Sequence, residues 1–169
     1  VISATSRGFL TEYVHRMQKH CREKNYIRDG RSPIPADTIV SYKMSRVMSK
    51  NTRPELTVRK ELCRQGLRGY RLHRADLPGR PDIVFMSKHL ALFINGCFWH
   101  RCPYCSPSFP RSNVDFWSEK FRKNKERDLN KVKQLDASGW IVVTLWECQV
   151  KYKLSECITK IRNALSTKD

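Results

Sequence analysis

Apolar residues recur along this chain with two different periods, and each change of period marks an element. Leu10, Val14, Met17 and Cys21 fall on one face of a short basic helix. Gly30, Pro33 and Pro35 then break the pattern. Residues 29–37 therefore read as a linker, and residues 1–42 as a basic arm set apart from a main domain over 43–169. That domain opens at Thr52-Arg53-Pro54-Glu55, where hydroxyl and carboxylate can cap a helix reciprocally; Leu56, Val58, Leu62 and Cys63 follow and predict a helix near 53–65. Past Leu77-Pro78-Gly79-Arg80-Pro81, two apolar runs, 82–86 and 90–94, flank Ser87-Lys88-His89 as paired strands flank a hairpin turn. A long helix is predicted over about 116–137, with Phe121, Leu129, Val132 and Leu135 turned inward and Ser138-Gly139 as its stop. The run 140–146 is rich in β-branched residues and reads as a third strand; Ile158, Ile161 and Leu165 at helical spacing predict a closing helix. This order predicts an α/β fold, a mixed sheet flanked by helices.

Length and charge narrow the function. A chain of 169 residues suits one compact domain with a core of its own. Its 33 Lys and Arg stand against 16 Asp and Glu, a formal net charge of +17 that attracts a polyanion. Nucleic acid is the expected partner. No apolar run approaches the ~18 residues that span a bilayer, and the first residues lack the pattern of a secretory signal, so the chain is expected to be soluble and intracellular. Seven cysteines are an odd number, and four sit where they suit a metal better than disulfides in a reducing compartment.

Two places carry candidate chemistry. Asp82 follows Pro81 at the mouth of a buried strand, where a carboxylate needs a compensating partner such as a divalent cation or a satisfied turn. The second is Asn95-Gly96-Cys97-Phe98-Trp99-His100-Arg101-Cys102-Pro103-Tyr104-Cys105. Cys102 and Cys105 have the spacing at which one turn presents two thiolates to zinc; Cys97 and His100 offer a second pair, and Cys148 a further ligand. Five candidates thus compete for four places. Adjacent Phe98 and Trp99 cannot both face one core from a strand, so one is free to stack on, or wedge between, bases. Trp117 invites the same question or packs in the core, and the basic stretch 120–133 reads as a solvated helix face that meets phosphate.

Taken together, Met44, the segments 52–56, 77–84 and 95–100, Phe116-Trp117, 124–128 and 145–148 resemble the very short patch repair (Vsr) endonucleases, over nearly two thirds of the chain. Leu-Pro-Gly-Arg-Pro-Asp, Gly-Cys-Phe-Trp-His and Trp-Glu-Cys, in that order, carry the resemblance. It implies a restriction-endonuclease-like core that nicks double-stranded DNA 5′ of the thymine in a T·G mismatch, the lesion left when 5-methylcytosine deaminates. By position, Asp82 matches the family's metal-binding aspartate, His100 the histidine that activates water, Glu55 a carboxylate near that histidine, and Asp128 another acid close by. The resemblance makes Cys97, Cys102, Cys105 and Cys148 the ligands of a structural Zn²⁺, and leaves His100 for catalysis. Mg²⁺ would rest on Asp82 and the main-chain carbonyl of Ile94. Met44, Phe98, Trp99 and Trp117 fall where the family intercalates. A monomer in the bacterial cytoplasm, on the nucleoid when bound, is implied, with mismatch-repair proteins as further partners.

Ile94 and Asn95 stand where the best-known member has Thr and His, and Asn95 cannot act as a cationic histidine on phosphate. Cys102 replaces a His ligand, which zinc tolerates. Two other readings compete: a homing or restriction-associated nicking enzyme on the same fold, and a non-catalytic zinc-stabilised DNA-binding module, for which the missing second acid and Lys of a standard P-D…(D/E)-x-K nuclease argue.

Overall fold

The computed structural model describes residues 42 and 44–167. The arm helix and the linker expected before residue 42 lie outside the described residues. The chain divides into two units, Val1–Met48 and Ser49–Asp169. In the first, the Ser45 hydroxyl donates to the Tyr42 carbonyl at 2.8 Å, Arg46 donates to the Tyr42 hydroxyl at 2.6 Å, and Met44 is exposed.

The second unit begins with α1 (Arg53–Arg64). Its Glu55 reaches back to accept from the N–H groups of Asn51 (2.9 Å) and Thr52 (3.2 Å), two donors that would otherwise have no partner at a helix start. Val58 and Leu62 are buried, whereas Leu56 and Cys63 stay exposed. Four strands follow: β1 (Arg71–Leu72), β2 (Ile83–Phe85), β3 (Leu90–Asn95) and β4 (Ile141–Trp146). They lie in that order, β1–β2 and β2–β3 antiparallel, β3–β4 parallel. The parallel pair needs a crossover, and α2 (Val114–Ala137) makes it. Two helices, α3 (Glu147–Tyr152) and α4 (Leu154–Ser166), complete the chain. The mixed sheet flanked by helices is as expected; the two-residue β1 and the short α3 are additions that carry too few residues for a period to show.

Strand alternation sorts the core into two layers. Ile83, Phe85, Leu90, Leu92 and Ile94 pack with Val58 and Leu62 of α1, Val150 of α3, and Cys157, Ile158 and Ile161 of α4. Val84, Ala91 and Phe93 point the other way, onto Leu135 of α2 and Trp140. All six residues of β3 are buried, as suits a strand covered on both faces. No helix among the described residues is long and apolar enough to cross a membrane.

Helix α2 departs from its expected face. Leu129 is exposed and Val132 only half-buried. The inward stripe runs instead through Trp117, Phe121, Asn124, Asp128, Lys131 and Leu135, spaced by three and four as one helix face requires. Its middle third is polar, and that third faces the candidate site.

Candidate active site and cysteine cluster

Pro81 and Asp82 bring the chain into β2. The Asp82 N–H donates to the Leu92 carbonyl (2.9 Å), although the register pairs Leu92 with Ile83, so the pairing is offset by one residue where the strand begins. The Asp82 carboxylate turns to β3, and its Oδ2 accepts from the Ile94 N–H at 2.7 Å. Burial raises its pKa above the ordinary carboxylate value; the Ile94 hydrogen bond opposes this, nearby Glu55 adds to it, and His73 and Lys131 pull it down. A half-buried carboxylate beside a second acid is a place where a cation is stabilising.

His100 lies just past β3. Its Nδ1 sits 2.5 Å from Asp128 Oδ2, and Nε2 has no hydrogen-bond partner among the described residues. The other Asp128 oxygen holds Lys131 Nζ at 2.7 Å. Burial works to raise the Asp128 pKa, but the His100 and Lys131 hydrogen bonds outweigh it, and the net shift is downward. Asp128 therefore stays ionised and fixes the imidazole's orientation. The contacts of Glu55 run to the start of α1 and to His73, whose Nε2 lies 3.6 Å from Glu55 Oε2, and Asp128 rather than Glu55 meets the His100 ring. Asn95 closes β3 opposite Trp146, buried, with no hydrogen bond from its side chain among the described residues.

Three contributors escaped the sequence reading. Lys131 is only 13% exposed, with its Nζ 4.1 Å from the centre of the Phe93 ring. Its stem lies over Gly79, where a Cβ would come within 2.6 Å of Lys131 Cδ; a side chain there would push it out. Lys131 thus touches the Leu77–Pro81 loop, β3 and Asp128 at once. Its position three residues past Asp128 is the only signal the sequence offers. Asn124, one turn before Asp128, donates to the Trp99 carbonyl at 2.8 Å and accepts from Arg127. His73, following β1, faces both Glu55 and Asp82.

The aromatic residues form one cluster. Phe98 meets Trp99, Trp117 and Phe121 with ring centroids 5.2, 5.4 and 5.3 Å apart, all edge-on. Trp117 stacks on Phe121 and is buried, so in this chain it is a core residue, while Phe98 and Trp99 remain half-buried. Trp99 folds back over Gly96, where a Cβ would lie 3.2 Å from Trp99 Cδ1. Met44 belongs to the other unit.

Cys97, Cys102, Cys105 and Cys148 offer sulfurs that all lie within 4.8 Å of one another. Cys102 and Cys148 are 3.7 Å apart at Sγ, far beyond a disulfide and close to the ~3.8 Å between ligands of a tetrahedral ion with Zn–S near 2.3 Å. Backbone N–H groups support the sulfurs: Cys148 donates to Cys97 Sγ at 3.3 Å, and Tyr104 and Cys105 donate to Cys102. N–H···S contacts of this kind hold thiolates in place and offset their charge. The donor set fits a structural zinc ion, and His100 is outside it.

The family model described as DNA mismatch endonuclease Vsr matches residues 37–105. The chain is 47% identical over 124 residues to the type II nicking enzyme V.XorIIP of Xanthomonas oryzae pv. oryzae, covering 73% of this chain and 90% of the relative. It is 39% identical to the type II nicking enzyme V.NmeAIP of Neisseria meningitidis, covering 74% and 93%. It is also 36% identical to the DNA mismatch endonuclease Vsr of Escherichia coli, covering 66% and 70%.

Proposed function

Since the chain belongs to the Vsr DNA mismatch endonuclease family, we propose that it is a Mg²⁺-dependent endonuclease that nicks one strand of duplex DNA on the 5′ side of the thymine in a T·G mismatch. The observation that carries the catalytic part is the His100–Asp128 pair, which leaves Nε2 as a proton acceptor. In hydrolysis, water attacks the phosphorus as its proton passes to Nε2, the phosphorus–oxygen bond to the leaving sugar breaks and that oxygen takes a proton from solvent, while Asp128 on the opposite nitrogen stabilises the imidazolium that forms. Lys131 keeps Asp128 in place and adds positive charge near Asp82. Asp82 and the main-chain carbonyl of Ile94 would hold Mg²⁺, which would supply charge neutralisation at the scissile phosphate. Magnesium fits the donor chemistry: Asp82 is a half-buried carboxylate with one oxygen committed to Ile94 and the other without a hydrogen bond among the described residues.

Half-buried Phe98 and Trp99, beside the site and in a chain of net charge +17, support a wedge that enters a weakened base step. Double-stranded DNA is then the partner, engaged by a monomer in the bacterial cytoplasm, with mismatch-repair proteins acting on the nicked product. Relatives named as type II nicking enzymes favour a second reading, in which the same chemistry serves a restriction-associated or homing reader. Purified protein with Mg²⁺ and end-labelled duplexes, matched and carrying one T·G pair, separates the readings. Nicking confined to the mismatch is expected. Equal nicking of both duplexes would establish the second reading, and nicking of neither would leave a zinc-stabilised DNA-binding module.

A further inference from the structure

His73 has no part in the chemistry above, yet it occupies an unusual place. It leaves β1 with φ of 48°, a left-handed backbone that non-glycine residues adopt uncommonly, and its N–H donates to the Asp82 carbonyl at 3.2 Å. The ring lies between two acids, with Nε2 3.6 Å from Glu55 Oε2 and Nδ1 3.9 Å from Asp82 Oδ1. Both separations exceed a hydrogen bond. Nε2 is nevertheless buried, the only such side-chain atom without a partner among the described residues. An enclosed ring nitrogen in that state calls for a ligand.

The two acids are anchored by their other contacts. Ile94 N–H holds Asp82 Oδ2, while Asn51 N–H, Thr52 N–H and the Thr52 hydroxyl hold Glu55. What remains is a set of uncommitted lone pairs, and one ligand atom from each of Glu55, His73 and Asp82 lies within 4.8 Å of the other two. Ligands about 2.1 Å from one ion are about 3 to 4.2 Å apart, so the 3.6 Å between His73 Nε2 and Glu55 Oε2 suits two ligands of one cation better than a direct bond.

We propose that Asp82, Glu55 and His73 together hold a divalent cation, and that the His73 nitrogen makes this site favour Mn²⁺ over Mg²⁺. The inference rests on the reading of Asp82 as a cation ligand and deepens it. Magnesium takes oxygen ligands and near-ideal octahedra, whereas imidazole suits the transition ions. Glu55 thereby gains a role: it is the second acid of the cation site rather than a partner of His100.

The test uses the full, zinc-loaded chain without DNA, titrated with MnCl₂. Free Mn²⁺ is read by electron paramagnetic resonance, and the bound ion by electron spin echo. We expect a bound Mn²⁺ with nitrogen modulation in its echo. His73→Gln should remove that modulation and weaken Mn²⁺ binding by roughly tenfold or more, with a smaller effect on Mg²⁺ measured by competition. The wild-type echo needs no variant, and a melting curve checks that His73→Gln is folded. Absence of nitrogen modulation in the wild type, its persistence in folded His73→Gln, or unchanged Mn²⁺ binding by that variant would each overturn the proposal. Asp82→Asn should abolish binding of both ions. Wild-type Mn²⁺ binding by Asp82→Asn would instead sink the underlying cation reading.

Discussion

Replacing Cys148 by Ser tests whether the four-cysteine cluster ties the domain together. Cys97, Cys102 and Cys105 all lie in the loop after β3, and Cys148 alone comes from beyond α2, in the first turn of α3. An ion held by all four closes a chain segment of about 43 residues between Cys105 and Cys148, for which the loop-entropy estimate used for cross-links gives about 4 kcal/mol. The parallel pairing of Asn95 with Trp146 already brings the two ends together, so 4 kcal/mol is an upper bound. A loss of roughly 2–4 kcal/mol is expected, a large share of the ~5–15 kcal/mol that holds a domain of this size. The melting temperature should then fall by roughly 8–15 °C. The assay pairs zinc content by mass spectrometry with thermal melts of wild type, Cys148→Ser, Cys148→His and Cys63→Ser. Cys148→His should regain zinc, because an imidazole ligates it as a thiolate does. Cys63 is exposed and outside the cluster, so its variant should match wild type. If Cys148→Ser keeps its zinc and its wild-type melting temperature, the cluster does not close this loop.

The site yields three more expectations. Asp128→Asn should lower kcat about 10²–10⁴-fold with little change in DNA affinity, as removal of the acid that orients a catalytic histidine does elsewhere; single-turnover nicking and gel shift measured together decide this, and a near-wild-type kcat would take Asp128 out of the mechanism. Asp82→Asn should abolish nicking yet stabilise the cation-free chain at neutral pH by about 1 kcal/mol. The Asp82 pKa is raised by burial, so its contribution to stability is present below the unfolded carboxylate value and is lost as pH rises through the folded one. The advantage of the variant over wild type should therefore shrink on acidification, and melts in Mg²⁺-free buffer that show no such trend would contradict the assignment. Phe98→Ala should lose most of the preference for T·G over matched duplex while nonspecific binding survives on the basic surface, whereas Trp117→Ala should mainly unfold, at about 3–5 kcal/mol. A folded Phe98→Ala with full mismatch preference would exclude the wedge.

Much of the fold was legible because its signals are local. The 83–85 and 90–95 strands are short continuous apolar runs, Glu55 stands three residues after Thr52, and Ser138-Gly139 ends α2 with Gly139 at φ 76°. The cysteine spacing announced a metal cluster, although its fourth member had to come from a distant element. What escaped was set by tertiary contact. Leu129 looked like core but is exposed, since no element among the described residues packs over that side of α2. His73 follows a two-residue strand that has no readable period, and only its pairing with β2 carries it to Asp82. Glu55 was the acid expected to orient His100, whereas Asp128 meets the ring because α2 crosses back over the sheet next to the loop that starts at Gly96.

That crossing gives α2 its place in the function. Its inward stripe changes character along its length: Trp117 and Phe121 pack against Phe98, Asn124 pins the backbone of Trp99, Asp128 and Lys131 hold the imidazole and the Asp82 loop, and Leu135 anchors the helix beneath β2 and β3. A helix face that turns polar in its middle, while buried at both ends, is costly unless its polar groups have partners. Here each has one: Asn124 on Trp99, Asp128 on His100, and Lys131 on Asp128. On the proposed function, the wedge and the reaction centre are thus held by one helix, a single turn apart. Displacing Phe98 and Trp99 into a base step pulls on the Trp99 carbonyl, hence on Asn124, with Asp128 and His100 next along the same face. On this geometry a duplex that admits the wedge also settles the imidazole, and Asn124→Ala should uncouple the two, leaving mismatch binding in place while kcat falls. Measured by gel shift and single-turnover nicking on one T·G duplex, equal losses in binding and kcat would instead make Asn124 a packing residue alone.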